Sequence, residues 1–187
     1  MTADSPTAGG MPDSGAIATN RLGSPTFLGL LVTQLLTAVN DNAFRWLVIG
    51  IGKQLLDRRG SPEQIGYVLT AGTAAFVLPY LVLAAPAGYL ADRFSKRSVI
   101  VCCKVAEIAI MLLGVLAMLS GNLWLLMIVV GLMGIQSALF SPSKLGSIPE
   151  MLEPSLISSA NGLMGLTTVI ATVIGMAIGN LLADQIA

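Results

Sequence analysis

Long stretches without a charged residue dominate the chain. Residues 64–91, 108–143 and 154–183 contain no Asp, Glu, Lys or Arg. Each stretch is longer than the ~20 residues that a helix needs to cross about 30 Å of hydrocarbon. Residues 22–40 form a further uncharged stretch, and another apolar turn follows Arg45. This pattern predicts an all-α fold, a polytopic bundle of transmembrane helices.

Five membrane spans are predicted from these stretches and from the turns between them. Pro79 and Pro86 are expected to kink the second span, and a turn at 120–122 separates the third span from the fourth. Three prolines predict that residues 141–154 form a loop with at most short helical pieces. The predicted spans are 26–52, 64–90, 98–119, 123–140 and 155–183, all within one transmembrane domain at 25–187.

The amino-terminal residues 1–24 are mostly Ser, Thr, Gly, Pro, Ala and Asp, and they predict a disordered tail. They lack the basic start and apolar core of a signal peptide. Because cytoplasmic loops carry an excess of Lys and Arg, loop charge predicts orientation. The side that includes the tail carries Arg21, Arg93, Lys96, Arg97 and Lys144, and the other carries Lys53, Arg58 and Arg59. The tail is therefore expected to be cytoplasmic.

Composition narrows the class of protein further. Only 11% of the residues are charged, against about 25% in soluble domains, and the mean hydropathy is +0.82. Lys and Arg equal Asp and Glu at 10 each, so there is no basic excess for a nucleic acid. The chain has no His, and the adjacent Cys102 and Cys103 lie in an apolar helix. We expect a membrane protein that is not an enzyme and that has no metal, cofactor or nucleic-acid partner.

The first span contains polar residues that are unusual for a lipid-facing helix. Gln34, Thr37, Asp41 and Arg45 are spaced by three, four and four residues, which places them on one helical face. A lone charge at the depth of Asp41 costs at least ~2.5 kcal/mol and normally faces the bundle interior or a wet cavity. This face is either a substrate or ion site in a central cavity, or an Asp41–Arg45 pair that holds the span to its neighbours.

The third span contains two further intramembrane charges, Lys104 and Glu107. They are three residues apart and can form an ion pair. Lys104 can extend to the membrane surface, whereas Glu107 lies deeper. Glu107 is therefore a candidate for proton or cation coupling, or a structural partner of Arg45 or Lys104.

A charged turn between the second and third spans carries the most specific motif. It contains Gly88, Leu90, Ala91, Asp92, Arg93, Lys96 and Arg97. It resembles the signature of the major facilitator superfamily at this position, Gly-x-Leu-Ala-Asp-Arg-x-x-x-Arg. The small Gly88 would allow close helix packing, and Asp92 would bind a helix amino terminus or a cation across the gate. If the resemblance is set aside, the same residues are typical of a basic turn at the cytoplasmic surface of the membrane.

A narrower resemblance links three segments to the bacterial lysophospholipid transporter family. They read Ala-Val-Asn-Asp-Asn-Ala at 38–43, Ser-Pro-Ser-Lys-Leu-Gly at 141–146 and Ala-Asn-Gly-Leu-Met at 160–164. The residues that match the polar positions of that family are Asp41, Asn42, Lys144 and Asn161. Ser143, Leu145 and Gly165 depart from its pattern, and Arg45, Lys104 and Glu107 are additional charges. These departures leave the coupling ion and the preferred headgroup open.

The resemblance implies a transporter that moves lysophospholipid from the outer to the inner leaflet of the bacterial cytoplasmic membrane. There an acyltransferase, in some members fused to the transporter, restores the second chain. Such transporters have twelve helices in two halves that rock about a central site. This chain is therefore expected to be an amino-terminal part with about five helices. It would need the missing carboxy-terminal half. Asp41, Arg45 and Glu107 would line this central site. Asp41 would bind the headgroup amine, and Arg45 or Lys144 the phosphate.

Two alternatives remain open from the sequence. A major facilitator transporter of the same fold can instead move a small metabolite or a drug together with protons. The mostly aliphatic second, fourth and fifth spans favour a lipid. In a different class, the chain can be the membrane anchor of a fused acyltransferase.

Overall fold

The computed structural model describes residues 21–58, 60 and 62–186. These residues form five long helices, one short α-helix and two 3₁₀ turns, with no strand among them. The helices are α1 (Pro25–Arg58), α2 (Ile65–Arg93), α3 (Lys96–Leu119), α4 (Leu123–Gly146), α5 (Ile148–Met151) and α6 (Ile157–Ile186), with 3₁₀ turns at Pro62–Gln64 and Pro154–Leu156. The predicted all-α class is confirmed.

Four helical segments are long and apolar enough to cross a membrane: Ile65–Arg93, Lys96–Leu119, Leu123–Met151 and Pro154–Ile186. The helix α1 has 34 residues, which is also long enough, but it is not among these four segments. The polar residues in its interior, Gln34 and the run from Asn40 to Asn42, reduce its apolarity. The membrane boundaries of the five predicted spans, including the one in α1, stay predictions.

Short polar residues cap the first turns of α3 and α4. The side chain of Ser95 accepts a hydrogen bond from the backbone N–H of Ser98 at 3.2 Å, which caps α3. The side chain of Asn122 accepts one from the N–H of Trp124 at 2.9 Å, which caps α4. Between α3 and α4, Gly121 has a φ of +63°, a conformation that favours glycine. The chain therefore turns at the predicted position, 120–122.

The amino-terminal tail is described only in part. Residues 1–20 of the predicted disordered tail and Arg59 lie outside the described residues. Residues 21–24 are described and lead into α1 through a turn. Ser24 is 3% exposed, and its hydroxyl accepts a hydrogen bond from the N–H of Phe27 at 3.3 Å, at the start of α1.

The prediction that residues 141–154 form a loop was wrong for its first six residues. The helix α4 continues through Pro142 and ends at Gly146. It is closed by Ser147, whose N–H and hydroxyl both donate to the carbonyl of Ser143, at 3.1 and 2.7 Å. Ser143 is fully buried, so packing holds this turn in place although a proline removes one backbone hydrogen bond.

Small residues allow α1 and α6 to approach closely. On α6, Ala171, Gly175, Gly179 and Ala183 recur every fourth residue and are all buried. A Cβ atom on Gly175 would lie 2.7 Å from both the Cβ of Asn42 and the carbonyl oxygen of Val39. Only glycine therefore fits there, and the contact holds α6 beside the polar residues of α1.

We expect Gly175→Leu to destabilise the chain because α6 would have to move away from α1. Overpacking of this kind costs about 1–3 kcal/mol. The apparent melting temperature in detergent, measured by size-exclusion chromatography after heating, should fall by at least about 2 °C. Gly162→Leu is the matched control on the same helix, since a Cβ at Gly162 meets nothing within 4 Å. Equal melting temperatures for the two variants would contradict the proposed close contact.

Candidate functional site

A polar cavity of about 370 Å³ lies between α1, α2, α4 and α6. Six lining residues come from α1, four from α4 and two each from α2 and α6. They are Gln34, Thr37, Ala38, Asp41, Asn42 and Arg45 of α1, Phe76 and Tyr80 of α2, Ser137, Phe140, Ser141 and Lys144 of α4, and Thr168 and Thr172 of α6. The four residues that their spacing assigned to one face of α1 all line this cavity.

Asp41 is the buried carboxylate of the cavity. The residue is 4% exposed, and its Oδ2 accepts a hydrogen bond from the hydroxyl of Ser137. The other carboxyl oxygen, Oδ1, is buried and has no hydrogen-bond partner among the described residues. Leaving such a group unsatisfied costs about 1–3 kcal/mol or more, and a buried unsatisfied atom therefore points to a missing partner. A proton or a cationic group would supply that partner.

Arg45 does not form the intrahelical ion pair with Asp41 that the sequence offered as an alternative. Its Nη2 donates to the Oδ1 of Asn42 at 2.8 Å, and its guanidinium carbon lies 5.0 Å from the ring centre of Phe76. The Nε of Arg45 is buried without a partner in the described part of the chain. Asp41 and Arg45 thus face one cavity, each with an unsatisfied polar atom.

Lys144 brings a second cation to the cavity from α4. Its ammonium group donates to the Oε1 of Gln34 at 2.7 Å and lies 5.4 Å from the ring centre of Phe140. Gln34 in turn donates from Nε2 to the hydroxyl of Thr168 at 2.7 Å. This chain of hydrogen bonds connects α4, α1 and α6 and fixes the position of the ammonium group. An ammonium has three donors, and the described residues accept from one of them, so two remain for a ligand.

Lys104 and Glu107 lie outside this cavity, which corrects the expectation that Glu107 lines the central site. They form the predicted ion pair, with 2.5 Å between Lys104 Nζ and Glu107 Oε2. Together with Asn40 they line a neighbouring cleft between α1 and α3. The Nδ2 of Asn40 donates to Glu107 Oε1 at 3.4 Å. Successive helical residues are about 100° apart, so Asn40 faces this cleft whereas Asp41 faces the cavity.

Hydrogen-bonding residues connect the cleft to the cavity. Lys104 donates to the hydroxyl of Thr37, which also lines the cavity. On α4, Gln136 donates from Nε2 to Glu107 Oε2 at 3.4 Å, and its Oε1 lies 3.2 Å from the hydroxyl oxygen of Ser137. The Lys104–Glu107 ion pair therefore contacts the outer side of the cavity wall through Thr37 and Gln136.

The basic turn between α2 and α3 contacts the end of α4. Lys96 donates to the carbonyl of Gly146 at 2.7 Å and pairs with Glu150 at 2.5 Å. Arg93 stacks on the ring of Tyr89, while Asp92 and Arg97 are exposed. A Cβ at Gly88 would meet nothing within 4 Å, so the described residues do not provide the close packing expected there.

Asn161 is not brought to the cavity with the other residues of the family motif. It is exposed near the start of α6 and does not line the cavity. Among the described residues, no group of three His, Cys, Asp or Glu side chains is arranged to hold a metal ion.

Apart from Lys144, sequence reasoning missed the cavity residues of the other helices. Ser137, Tyr80, Phe76 and the pair Thr168 and Thr172 were not selected as site residues. The two threonines are four residues apart in a largely apolar helix, and this spacing, which places them on one face, was a usable signal for a polar face. Nothing in the sequence alone indicated that Ser137 faces Asp41.

The fold and cavity together define a class, a polytopic helical membrane protein with charged groups in a cavity between its helices. Comparison with known families makes the class specific. The model of the Major Facilitator Superfamily matches residues 16–187, and the chain belongs to this family. The fold predicted from the turn motif is thereby confirmed.

Bacterial lysophospholipid transporters are among the relatives of the chain. The transporter LplT of Cronobacter sakazakii is 33% identical over 176 residues, covering 93% of this chain and 40% of that protein. LplT of Pectobacterium carotovorum is 32% identical, with 83% and 35% covered, and LplT of Serratia proteamaculans is 32% identical, with 86% and 37% covered. The chain thus spans about two fifths of the length of these relatives. No solved structure gives a significant match.

Proposed function

We propose that this chain is part of a transporter that moves lysophospholipid between the leaflets of the bacterial cytoplasmic membrane by alternating access. The observation that carries the proposal is the cavity in which Asp41 has an unsatisfied carboxyl oxygen and Lys144 has spare donors. One carboxylate and two cations in one cavity complement a zwitterion. The relatives named lysophospholipid transporters support the same cargo.

The proposed headgroup interactions follow from the charges. The ammonium group of lysophosphatidylethanolamine binds the free oxygen of Asp41, and the phosphate binds Lys144 or Arg45. The acyl chain remains in lipid between the helices. The exposed apolar side chains on α2 and α6, such as Leu81 and Leu166, provide suitable surfaces for it. Transport proceeds from the outer to the inner leaflet, where an acyltransferase uses the product.

The chain is proposed to need a further half before it can transport. Alternating access requires two halves that rock about the site, and the chain spans about 40% of its relatives. The amino terminus is proposed to be cytoplasmic, which places the basic α2–α3 turn at the inner surface. Asp41 with its free oxygen also suits a proton, so proton-coupled movement of a metabolite or drug is the alternative function. An anchor of a fused acyltransferase is the alternative from another class.

A binding experiment tests the proposed cargo. The purified chain in detergent is titrated with fluorescent lysophosphatidylethanolamine, and unlabelled competitors displace it. We expect lysophosphatidylethanolamine to compete at least about tenfold better than monoacylglycerol, which has neither the amine nor the phosphate. Vesicles that contain this chain alone should bind the lipid without carrying it across. Equal competition by monoacylglycerol would show that only the acyl chain is recognised, and transport by the chain alone would contradict the need for a second half.

A further inference from the structure

Gln136 is a buried amide of α4 whose orientation is determined by α3. Its Nε2 has two protons, and it donates to the carbonyl of Cys103 at 3.1 Å and to Glu107 Oε2 at 3.4 Å. Both groups accept hydrogen bonds, because one is a carbonyl and the other is a carboxylate that is paired with Lys104. The amide nitrogen therefore faces α3, and the amide oxygen faces Ser137.

The hydroxyl of Ser137 has one proton and lies within hydrogen-bond distance of two acceptors. It donates to Oδ2 of Asp41, and it lies 3.2 Å from Oε1 of Gln136. A stronger bond to one acceptor weakens the bond to the other, because a hydroxyl is a single donor. An ionised Asp41 attracts the proton strongly, whereas a cation at its unpartnered Oδ1 reduces that attraction. Gln136 can then accept the proton, so it stabilises the cation-bound state more than the empty one.

The charge of Glu107 strengthens this second acceptor. An amide that donates to a carboxylate is polarised, and hydrogen bonds connected in this way strengthen one another by about 10–30% per bond. Neither Glu107 nor Lys104 lines the cavity, so neither contacts a headgroup that binds there. The hydrogen bonds of Gln136 and Ser137 connect the ion pair to Asp41.

We propose that Gln136 is a positioning residue through which the Lys104–Glu107 ion pair raises the affinity of Asp41 for a cationic group. The identity of that group as the headgroup amine rests on the proposed function, whereas the hydrogen bonds that carry the inference do not depend on the cargo. The ion pair thus affects the selectivity of the cavity from a neighbouring cleft, without contact to the bound lipid.

Gln136→Leu tests the proposal in a displacement assay. We expect the affinity for lysophosphatidylethanolamine to fall about fivefold, the effect of about one net hydrogen bond, and the affinity for lysophosphatidylglycerol, which has no amine, to stay the same. Gln54→Leu is the matched control. The Nε2 of Gln54 also connects two helices, since it donates to the carbonyl of Ala183 and to Asp184 Oδ1, both at 3.3 Å, but Gln54 does not line the cavity. Its substitution should leave both affinities unchanged. Equal loss for the two lipids in Gln136→Leu, or no loss for either, would overturn the proposal.

A second set of variants separates the connection through Ser137 from packing and from long-range charge. When Ser137→Ala is already present, Gln136→Leu should change the affinity less than about twofold. Replacement of the whole ion pair, Lys104→Gln with Glu107→Gln, keeps the net charge and should lower the affinity about threefold, again only when Ser137 is present. This variant also provides the test if Gln136→Leu does not give a monodisperse protein. Losses that persist together with Ser137→Ala would overturn the proposal.

Infrared spectroscopy gives a measurement without lipid. The carboxyl stretching band of Asp41 is identified as the band that is lost in Asp41→Asn. This band should shift in Gln136→Leu and keep its position in Gln54→Leu, because only the first substitution changes the hydrogen bond from Ser137. Such a shift would support the proposal even if lysophosphatidylethanolamine competes no better than monoacylglycerol, a result that refutes only the proposed cargo. An unshifted band would overturn the proposal even if the lysolipid binds as expected.

Discussion

Asp41→Asn is expected to weaken the binding of lysophosphatidylethanolamine by about thirtyfold or more. The substitution removes the charge that the headgroup amine requires, and loss of one partner from a desolvated charge pair costs at least about 2 kcal/mol. An asparagine oxygen can still accept the hydrogen bond from Ser137, so the helix packing should survive. The measurement is displacement of fluorescent lysophosphatidylethanolamine from the purified chain.

Two comparisons separate this role from a structural one. Asp184→Asn, at an exposed position near the end of α6, should leave the affinity unchanged. Lysophosphatidylglycerol has no amine, so Asp41→Asn should retain its affinity for that lipid or increase it. Equal loss for both lipids, or loss of the monodisperse protein peak, would mean that Asp41 only stabilises the bundle.

The polar face of α1 could be predicted because all the residues that define it belong to one helix. Gln34, Thr37, Asp41 and Arg45 belong to a single helix, and the 3.6-residue period determines which way they point. The remaining walls depend on how separate helices pack. Ser137 reaches Asp41 only because α4 packs beside α1, and no spacing within one helix contains that information.

The position of Glu107 relative to the cavity could likewise not be predicted from the sequence. Its depth was evident from the uncharged residues that follow it, and so was its pairing with Lys104. Which side of α1 it would face depended on where α3 packs, and α3 contacts mainly α4. The deep carboxylate consequently lies behind the cavity wall, bonded to Asn40, instead of inside the cavity.

The end of α4 could not be predicted from proline content. Pro142 normally ends or kinks a helix, at a cost of about 3 kcal/mol. Here Phe140 and Ser143 are buried on either side of it, and burial of this turn outweighs the lost hydrogen bond. The additional turn has a consequence for the site, because it makes Lys144 a helical residue that points into the cavity and not part of a surface loop.

Lys144→Gln is expected to weaken the binding of every lysolipid that carries a phosphate. Among the described residues, the ammonium of Lys144 binds only Gln34 and keeps two donors for a ligand, whereas a glutamine side chain has no charge. The expected loss is about tenfold, since a charge-assisted hydrogen bond contributes roughly 1.5 kcal/mol and Lys144 is only half-buried. The displacement assay with lysophosphatidylethanolamine and lysophosphatidylglycerol measures it.

The conservative variant and a neutral lipid distinguish phosphate binding from packing. Lys144→Arg keeps the charge and should retain most of the affinity, because a guanidinium also binds phosphate. Monoacylglycerol lacks the phosphate, so its weak binding should not change in either variant. If Lys144→Gln retains full affinity while Arg45→Gln loses it, the phosphate binds Arg45 instead. If neither variant loses affinity, the cavity does not bind the headgroup, since no other lining residue carries a positive charge to receive it.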